Sequence, residues 1–441
     1  MLHRLFTGGA VASPAGFLCG SDVDLNSLTP SWLEDERLGG MWMSGGASGQ
    51  IEILGPGVLG ITEDQAWLIE PISEPAYSGM WMSSGASGIS TQEEPPSEPP
   101  PVGGLALGVY FTRPPATKEP DYVSSIGRFP DVYRENLGGV GNALFENNNW
   151  TWIANPEVQY DYNGTWAPWL ASHPLRRFFW MVGMCPRLGS SGGSGELLSN
   201  VAAGERDTEW RSWADYCATN GFSGTAQSPI YIALGWEMDS TWPAWGCQSN
   251  ATLMADFKAA WRRIVDVVRA RQPAMASTMK WCFCPSTRAY RNLGISWAEA
   301  LYPGDSYVDL IGGDFYDNGA YSEPPTASEK INVWNTVHLP ALQNQNTFAD
   351  NHGKPQFWGE WACVNDKNYP SVGGGGDDNP NFIQQSYNWA TTHDYEFVNY
   401  FDANQSTLDF SLRFWTAGQP QFTNARATFI STFGQLPHPW E

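Results

Sequence analysis

From Leu105 onward, strand-like and helix-like stretches alternate eight times in about 335 residues. The strand-like stretches are Leu105–Phe111, Asn142–Ile153, Phe178–Pro186, Pro229–Asp239, Met279–Ser286, Val308–Asp317, Pro355–Val364 and Glu396–Asn404. Between and after them, Asp121–Leu137, Trp166–Arg177, Glu205–Asn220, Asn250–Gln272, the region around Ser328–Leu342, Asn379–Thr392 and Thr423–Phe433 read as helices. Asn250–Gln272 carries Leu253, Phe257, Ala260, Trp261, Ile264 and Val268 at helical spacing and stops at Pro273. Alternation of this kind predicts a parallel sheet, and eight units predict its closure into a (β/α)8 barrel, the TIM-barrel architecture. A doubly wound open sheet is the structural rival. No Gly-x-Gly-x-x-Gly follows the first strand and there is no P-loop, so a nucleotide cofactor has no support.

The chain before this alternation differs in kind. Residues 1–101 hold no Lys and two Arg (Arg4 and Arg37) against 13 acids, a net charge of −11 out of −22 for the whole chain. Gly40-Met-Trp-Met-Ser-Gly-Gly-Ala-Ser-Gly49 recurs as 79–88 with Ser84 for Gly45 as the single change. Short β-like runs, Ile51–Leu54 and Trp67–Ile72, lie between the copies. Two copies are too few for a solenoid. Residues 1–90 therefore read as a β-rich or extended attachment module that packs into an assembly; a weakly ordered low-complexity arm is the alternative. Thr91–Gly104, with five Pro, is a stiff linker. The barrel then spans 105–441.

Charge and composition limit the partners. A net −22 argues against nucleic acid and anionic membranes, which need basic patches. No apolar run approaches the ~20 residues that span a bilayer. The first twenty residues make a poor secretory signal. Asp22-x-Asp24-x-Asn26 fails as a calcium loop, because Ser27 and Leu33 stand where Gly and Glu are needed. The six His and seven Cys show no metal-ligand spacing, so no metal is expected and the cysteines read as core thiols, with one disulfide as the alternative.

In such barrels the strand C-termini build the active site. Glu237 ends the fourth strand among Trp236, Met238, Trp242 and Trp245. Glu360 ends the seventh inside Phe357-Trp-Gly-Glu-Trp361. A carboxyl among indoles loses solvation and holds its proton, which suits a general acid. Strands four and seven face each other across a closed mouth, so the two carboxylates can flank one sugar. Glycosidic cleavage needs that pair: one acid to protonate the leaving oxygen, one group to attack or to activate water. The bland alternative is two ion-paired strand-end glutamates. Asp239, Trp281, Asp314, Tyr316, Trp358, Trp361 and Tyr400 also fall at or near strand ends, where they could bind a polysaccharide.

With these residues in place, 105–441 resembles glycoside hydrolase family 26. The resemblance rests on Trp236-Glu-Met-Asp-x-x-Trp-Pro-Ala-Trp-Gly246, Phe257-Lys-Ala-Ala-Trp-Arg-Arg263, Tyr302-Pro-Gly-Asp-Ser-Tyr-Val-Asp309, Gly313-Asp-Phe-Tyr316 and Gly359-Glu360. It implies a retaining endo-β-glycoside hydrolase of mannanase type, with Glu237 as acid/base, Glu360 as nucleophile, Tyr316 as the hydroxyl that holds the nucleophile, and Trp242 and Trp281 as sugar platforms. The family usually has His before the acid and Asn two residues after it; here Trp236 and Asp239 stand there, which leaves other β-glycans and cell-surface polysaccharides open. A glycan-binding barrel without activity is the rival function. The repeat-bearing start and the extracellular substrate class together suggest a virion-associated or otherwise extracellular depolymerase.

Overall fold

A computed structural model describes residues 104–110, 115–137, 166–185, 195–322, 324–366, 374–403, 408–412 and 422–440, together with the backbone of four short strands near the start. The chain divides into two units, Met1–Pro96 and Ser97–Glu441, and the division falls within the proline-rich stretch. In the first unit, Val11–Ala12 pairs with Leu18–Cys19, and Ile51–Ile53 with Leu59–Ile61, both antiparallel. Both copies of the Met/Trp repeat, the run Trp67–Ile72 and the linker up to residue 103 lie outside the described residues.

The second unit contains eight parallel strands closed into a barrel in sequence order. In chain order the elements are β1 (Ala106–Tyr110), α1 (Pro115–Ile126), β2 (Val132–Leu137), α2 (Trp166–Ser172), β3 (Arg177–Val182), α3 (Gly195–Ala202), α4 (Asp207–Thr219) and β4 (Ile230–Leu234). They continue with α5 (Ala251–Arg271), β5 (Met279–Phe283), α6 (Thr287–Asn292), α7 (Ile295–Leu301), β6 (Leu310–Tyr316), α8 (Ala327–Val333), α9 (Leu339–His352), β7 (Gln356–Ala362), α10 (Pro380–Thr392), β8 (Tyr395–Phe401) and α11 (Thr423–Ser431). This is the (β/α)8 barrel. The open sheet is excluded, because β8 pairs with β1 from Phe397↔Ala106 to Phe401↔Tyr110.

Local chemistry explains the boundaries. Asn250 caps α5 by accepting from the backbone N–H groups of Thr252 and Leu253. Pro273 follows its end, since proline has no N–H to continue the ladder. The second strand corrects the sequence reading. Asn142–Ile153 lies outside the described residues, and β2 is Val132–Leu137, inside the stretch read as helix. Gly127, at φ +87°, ends α1 in the left-handed region, and Pro130 keeps the chain extended. Asp131 N–H then donates to Leu107 O at 2.7 Å, and Leu107 N–H to the Asp131 carboxylate at 2.8 Å, which feeds β2 onto β1.

Aromatic residues fill two layers. Inside the barrel, Phe179, Phe357 and Phe397 pack with ring centroids 5.1–5.8 Å apart. Gly312 admits them: a Cβ there would lie 2.0 Å from Phe357 O. Outside the barrel, Trp180, Trp213, Trp281, Trp358 and Trp361 are fully buried between strands and helices. Each such indole removes up to ~250 Å² from water, about 6 kcal/mol at 25 cal/mol per Å² as an upper bound. Much of the tryptophan excess therefore belongs to the strand–helix layer.

Candidate active site

The site is built where β4 and β7 end. After β4, Gly235 (φ +60°) turns the chain against Met184, leaving no room for a Cβ. Glu237 follows at φ +48°, a left-handed conformation that a glutamate adopts only when its surroundings impose it. Two bonds impose it here: Glu237 N–H donates to Cys284 O at 2.8 Å, and Ser240 N–H to Glu237 O at 2.9 Å. The half-buried side chain accepts from Trp242 Nε1 at 2.6 Å through Oε2. Burial pushes its pKa up to about 8. The charges of Glu360 and Asp239 add to this, while the Trp242 bond and Arg134 oppose it. Glu237 thus keeps its proton at neutral pH, as a general acid must.

On β7 a local irregularity aims Glu360. Two residues of β6, Gly313 to Phe315, and two of β8, Val398 to Tyr400, each span three of β7, Trp358 to Trp361. The extra residue is a bulge in effect, and it breaks the period-two alternation. Trp358 and Trp361 consequently both face the helices, while Glu360 reaches the site. Arg134 of β2 pairs with Glu360 Oε1, and Tyr316 O–H donates to Oε2. Arg134 also donates to Asn136 Oδ1 at 2.8 Å. Its guanidinium lies 4.5 Å from the Tyr110 ring and 5.2 Å from the Phe401 ring, which stack on each other 5.0 Å apart. Burial, then the charges of Glu360, Asp314 and Glu237, hold the Tyr316 hydroxyl well above the ordinary tyrosine range, so it remains a donor.

The remaining expected residues divide. Trp242 is half-buried beside Glu237 and can meet a sugar. Trp236 and Trp245 are buried, with ring centroids 4.7 Å apart and Trp245 Nε1 donating to Trp236 O at 2.6 Å. They back Trp242, at 6.0 and 6.4 Å, and offer no ring to substrate themselves. Asp239 is at the site, half-buried, accepting from Ser286 N–H at 2.7 Å and Ser286 Oγ at 2.5 Å. Burial raises its pKa, against those bonds.

Like Trp236 and Trp245, five further expected substrate contacts are corrected. Trp281 is 1% exposed and packs on Trp213 of α4, because its strand position faces the helices. Trp358 packs on Phe315 and Tyr395 at 4.9 Å each, and Trp361 on Phe433 at 4.7 Å, both on the helical side of the bulge. Tyr400 packs on Trp361 and donates to Phe410 O at 3.1 Å. Asp314 is buried beneath the carboxylates, where Oδ1 accepts from Cys284 Sγ at 3.3 Å.

The sequence reading missed Arg134, Tyr110 and Cys284. A signal existed for Arg134: one cation in Val132-Tyr-Arg-Glu-Asn-Leu137, a run that opens with two strand formers.

Comparison with known proteins agrees with the barrel fold. Residues 224–353 match the family model described as glycosyl hydrolase family 26. A solved structure described as GH26C from Muricauda sp. aligns with TM-score 0.51 at 14% identity, covering 77% of this chain and 90% of that one. The catalytic domain of an endo-β-1,4-mannanase from Bacillus sp. aligns with TM-score 0.49 at 16% identity, over 74% and 85% of the two chains. No curated protein sequence matches the chain. The chain is glycosyl hydrolase family 26-like, and the family match supports a glycoside hydrolase.

Proposed function

We propose that this family 26-like barrel is a retaining endo-β-glycoside hydrolase acting on a polysaccharide. One observation carries the reading: two carboxyl groups share one site in opposite environments. Glu237 is held by a single indole N–H and raised to about 8. Glu360 is ion-paired with Arg134 and accepts from Tyr316. Divergent environments of this kind separate an acid from a nucleophile. Glu237 protonates the leaving oxygen while Glu360 attacks the anomeric carbon. Glu237, now ionised, then takes a proton from the water that hydrolyses the glycosyl-enzyme.

The substrate is a β-glycan of mannan type or a cell-surface polysaccharide. Trp236 and Asp239 separate this site from the usual family pattern, and Asp239, bonded to Ser286, shapes the sugar position beside Glu237. The acidic, repeat-bearing residues 1–101 attach the barrel to an assembly outside the cell, such as a virion. Incubation with mannans, mixed-linkage glucans, xylans and host-surface polysaccharides, scored for new reducing ends, tests the activity. Glu360→Ala must abolish release with the fold intact. Full activity in that variant removes the assignment, and tight binding without release by the wild type leaves a glycan-binding barrel.

A further inference from the structure

Asp314 feels the charges of both carboxylates and hydrogen-bonds to neither. It is 2% exposed. Its N–H donates to Pro285 O at 3.0 Å, its Oδ1 accepts from Cys284 Sγ at 3.3 Å, and its buried Oδ2 has no hydrogen-bond partner. Cys284 works in two directions. Its carbonyl accepts the Glu237 N–H at 2.8 Å and so helps hold that residue in its left-handed conformation, while its thiol donates to Asp314. On the other side, a Cβ on Gly359 would lie 2.9 Å from Asp314 Oδ1 and 3.0 Å from Cys284 Sγ. The backbone that delivers Glu360 therefore rests directly on the thiol and the carboxyl.

We propose that Cys284 and Asp314 are a positioning pair, a buried thiol–carboxyl brace that fixes the Glu237 backbone against the Glu360 backbone. Its consequence for turnover rests on the hydrolase reading above; its geometry does not. The charged and titratable groups around Asp314 are Glu360 on β7, Glu237 after β4, Cys284 at the end of β5, Tyr316 on its own strand, and Arg134 on β2. The single cation among them is ion-paired with Glu360. A further anion in this floor would be buried without a partner, which is costly. Asp314 is accordingly a neutral acid: burial, then the charges of Glu360 and Glu237, raise its pKa well above the carboxylate range. Oδ1 accepts from the thiol and Oδ2 carries the proton. Asparagine reproduces that pattern, with an acceptor oxygen and a donor nitrogen.

The test uses the full chain with Asp314→Asn, Asp314→Ala, Cys284→Ser and Cys284→Val. Asp314→Ala and Cys284→Val should lower kcat on the order of 100-fold, with KM little moved, because the reacting groups are misplaced while substrate contacts remain. Asp314→Asn and Cys284→Ser should recover most of that loss. The alkaline limb of kcat/KM in Asp314→Asn should stay at the wild-type position. A limb displaced to lower pH would mean that an ionised Asp314 had been repelling charge on Glu237, and it would overturn the proposal. So would unchanged kcat in Asp314→Ala. An infrared difference spectrum, wild type minus Asp314→Asn at neutral pH, should contain a protonated-carboxyl stretch, and its absence overturns the neutral acid. That band needs no turnover, so an inactive wild type would remove the hydrolase reading and leave the brace still decided. Should Asp314→Ala fail to fold, the band and the Asp314→Asn limb give the answer.

Discussion

The indole Nε1 of Trp242 donates to Glu237 Oε2 at 2.6 Å, and this bond decides which oxygen of the acid carries the proton. With Oε2 occupied as an acceptor, the transferable proton sits on Oε1. After transfer, the same N–H stabilises the carboxylate that remains.

Trp242→Phe therefore has a signature distinct from loss of a sugar platform. The bond favours the ionised acid, so its removal moves the alkaline limb of the rate profile to higher pH. It also costs roughly 10-fold in kcat, the worth of one hydrogen bond to a charged group. Steady-state kinetics across pH check both. A raised KM with an unmoved limb would leave Trp242 as a platform alone.

Glu237 sets the upper pH limit. Its pKa of about 8 means that kcat/KM holds up to that pH and then falls about 10-fold per unit. The folded-state pKa lies above the ordinary glutamate value of 4.5, so the native protein binds the extra proton. The stability linked to this group is complete below about pH 4.5 and is lost as pH rises through about 8. Glu237→Gln, which cannot ionise, should have a higher Tm than wild type above pH 8 and a similar one in acid. Identical Tm curves for the two proteins would contradict the buried acid.

Arg134 and Glu360 should be coupled. Arg134→Met strands a buried carboxylate and should cost about 3–5 kcal/mol, the usual penalty for breaking one half of a buried pair. Glu360→Gln in the same chain should return part of that loss. Thermal unfolding of the two single variants and the double variant measures the coupling. Strict additivity would show that the ion pair contributes nothing.

Trp281→Ala and Trp361→Ala test the correction made to the tryptophans. Both rings lie in the strand–helix layer. Each change should cost about 3–5 kcal/mol of stability, the range for large aromatic truncations in a core. KM of the folded protein should not change. A raised KM with unaltered Tm would return these rings to the substrate groove.

The amino-acid sequence by itself determined the architecture and the two strand-end glutamates, Glu237 and Glu360. Short apolar runs set off by helical periods mark most of the strands, and the C-terminal ends of two of them present glutamates among indoles. Those are local properties, and the period of side-chain direction carries them. Other features belong to the tertiary structure alone. One extra residue in β7 sends Trp358 and Trp361 to the helices and Glu360 to the site, and alternation cannot reveal a bulge whose register is set by β6 and β8. Arg134 meets Glu360 across 226 positions of chain, a pairing that exists only once the barrel closes. Asp314 is a floor because Cys284 and Gly359 cover it, and burial of that kind is a property of packed neighbours that no stretch of sequence contains.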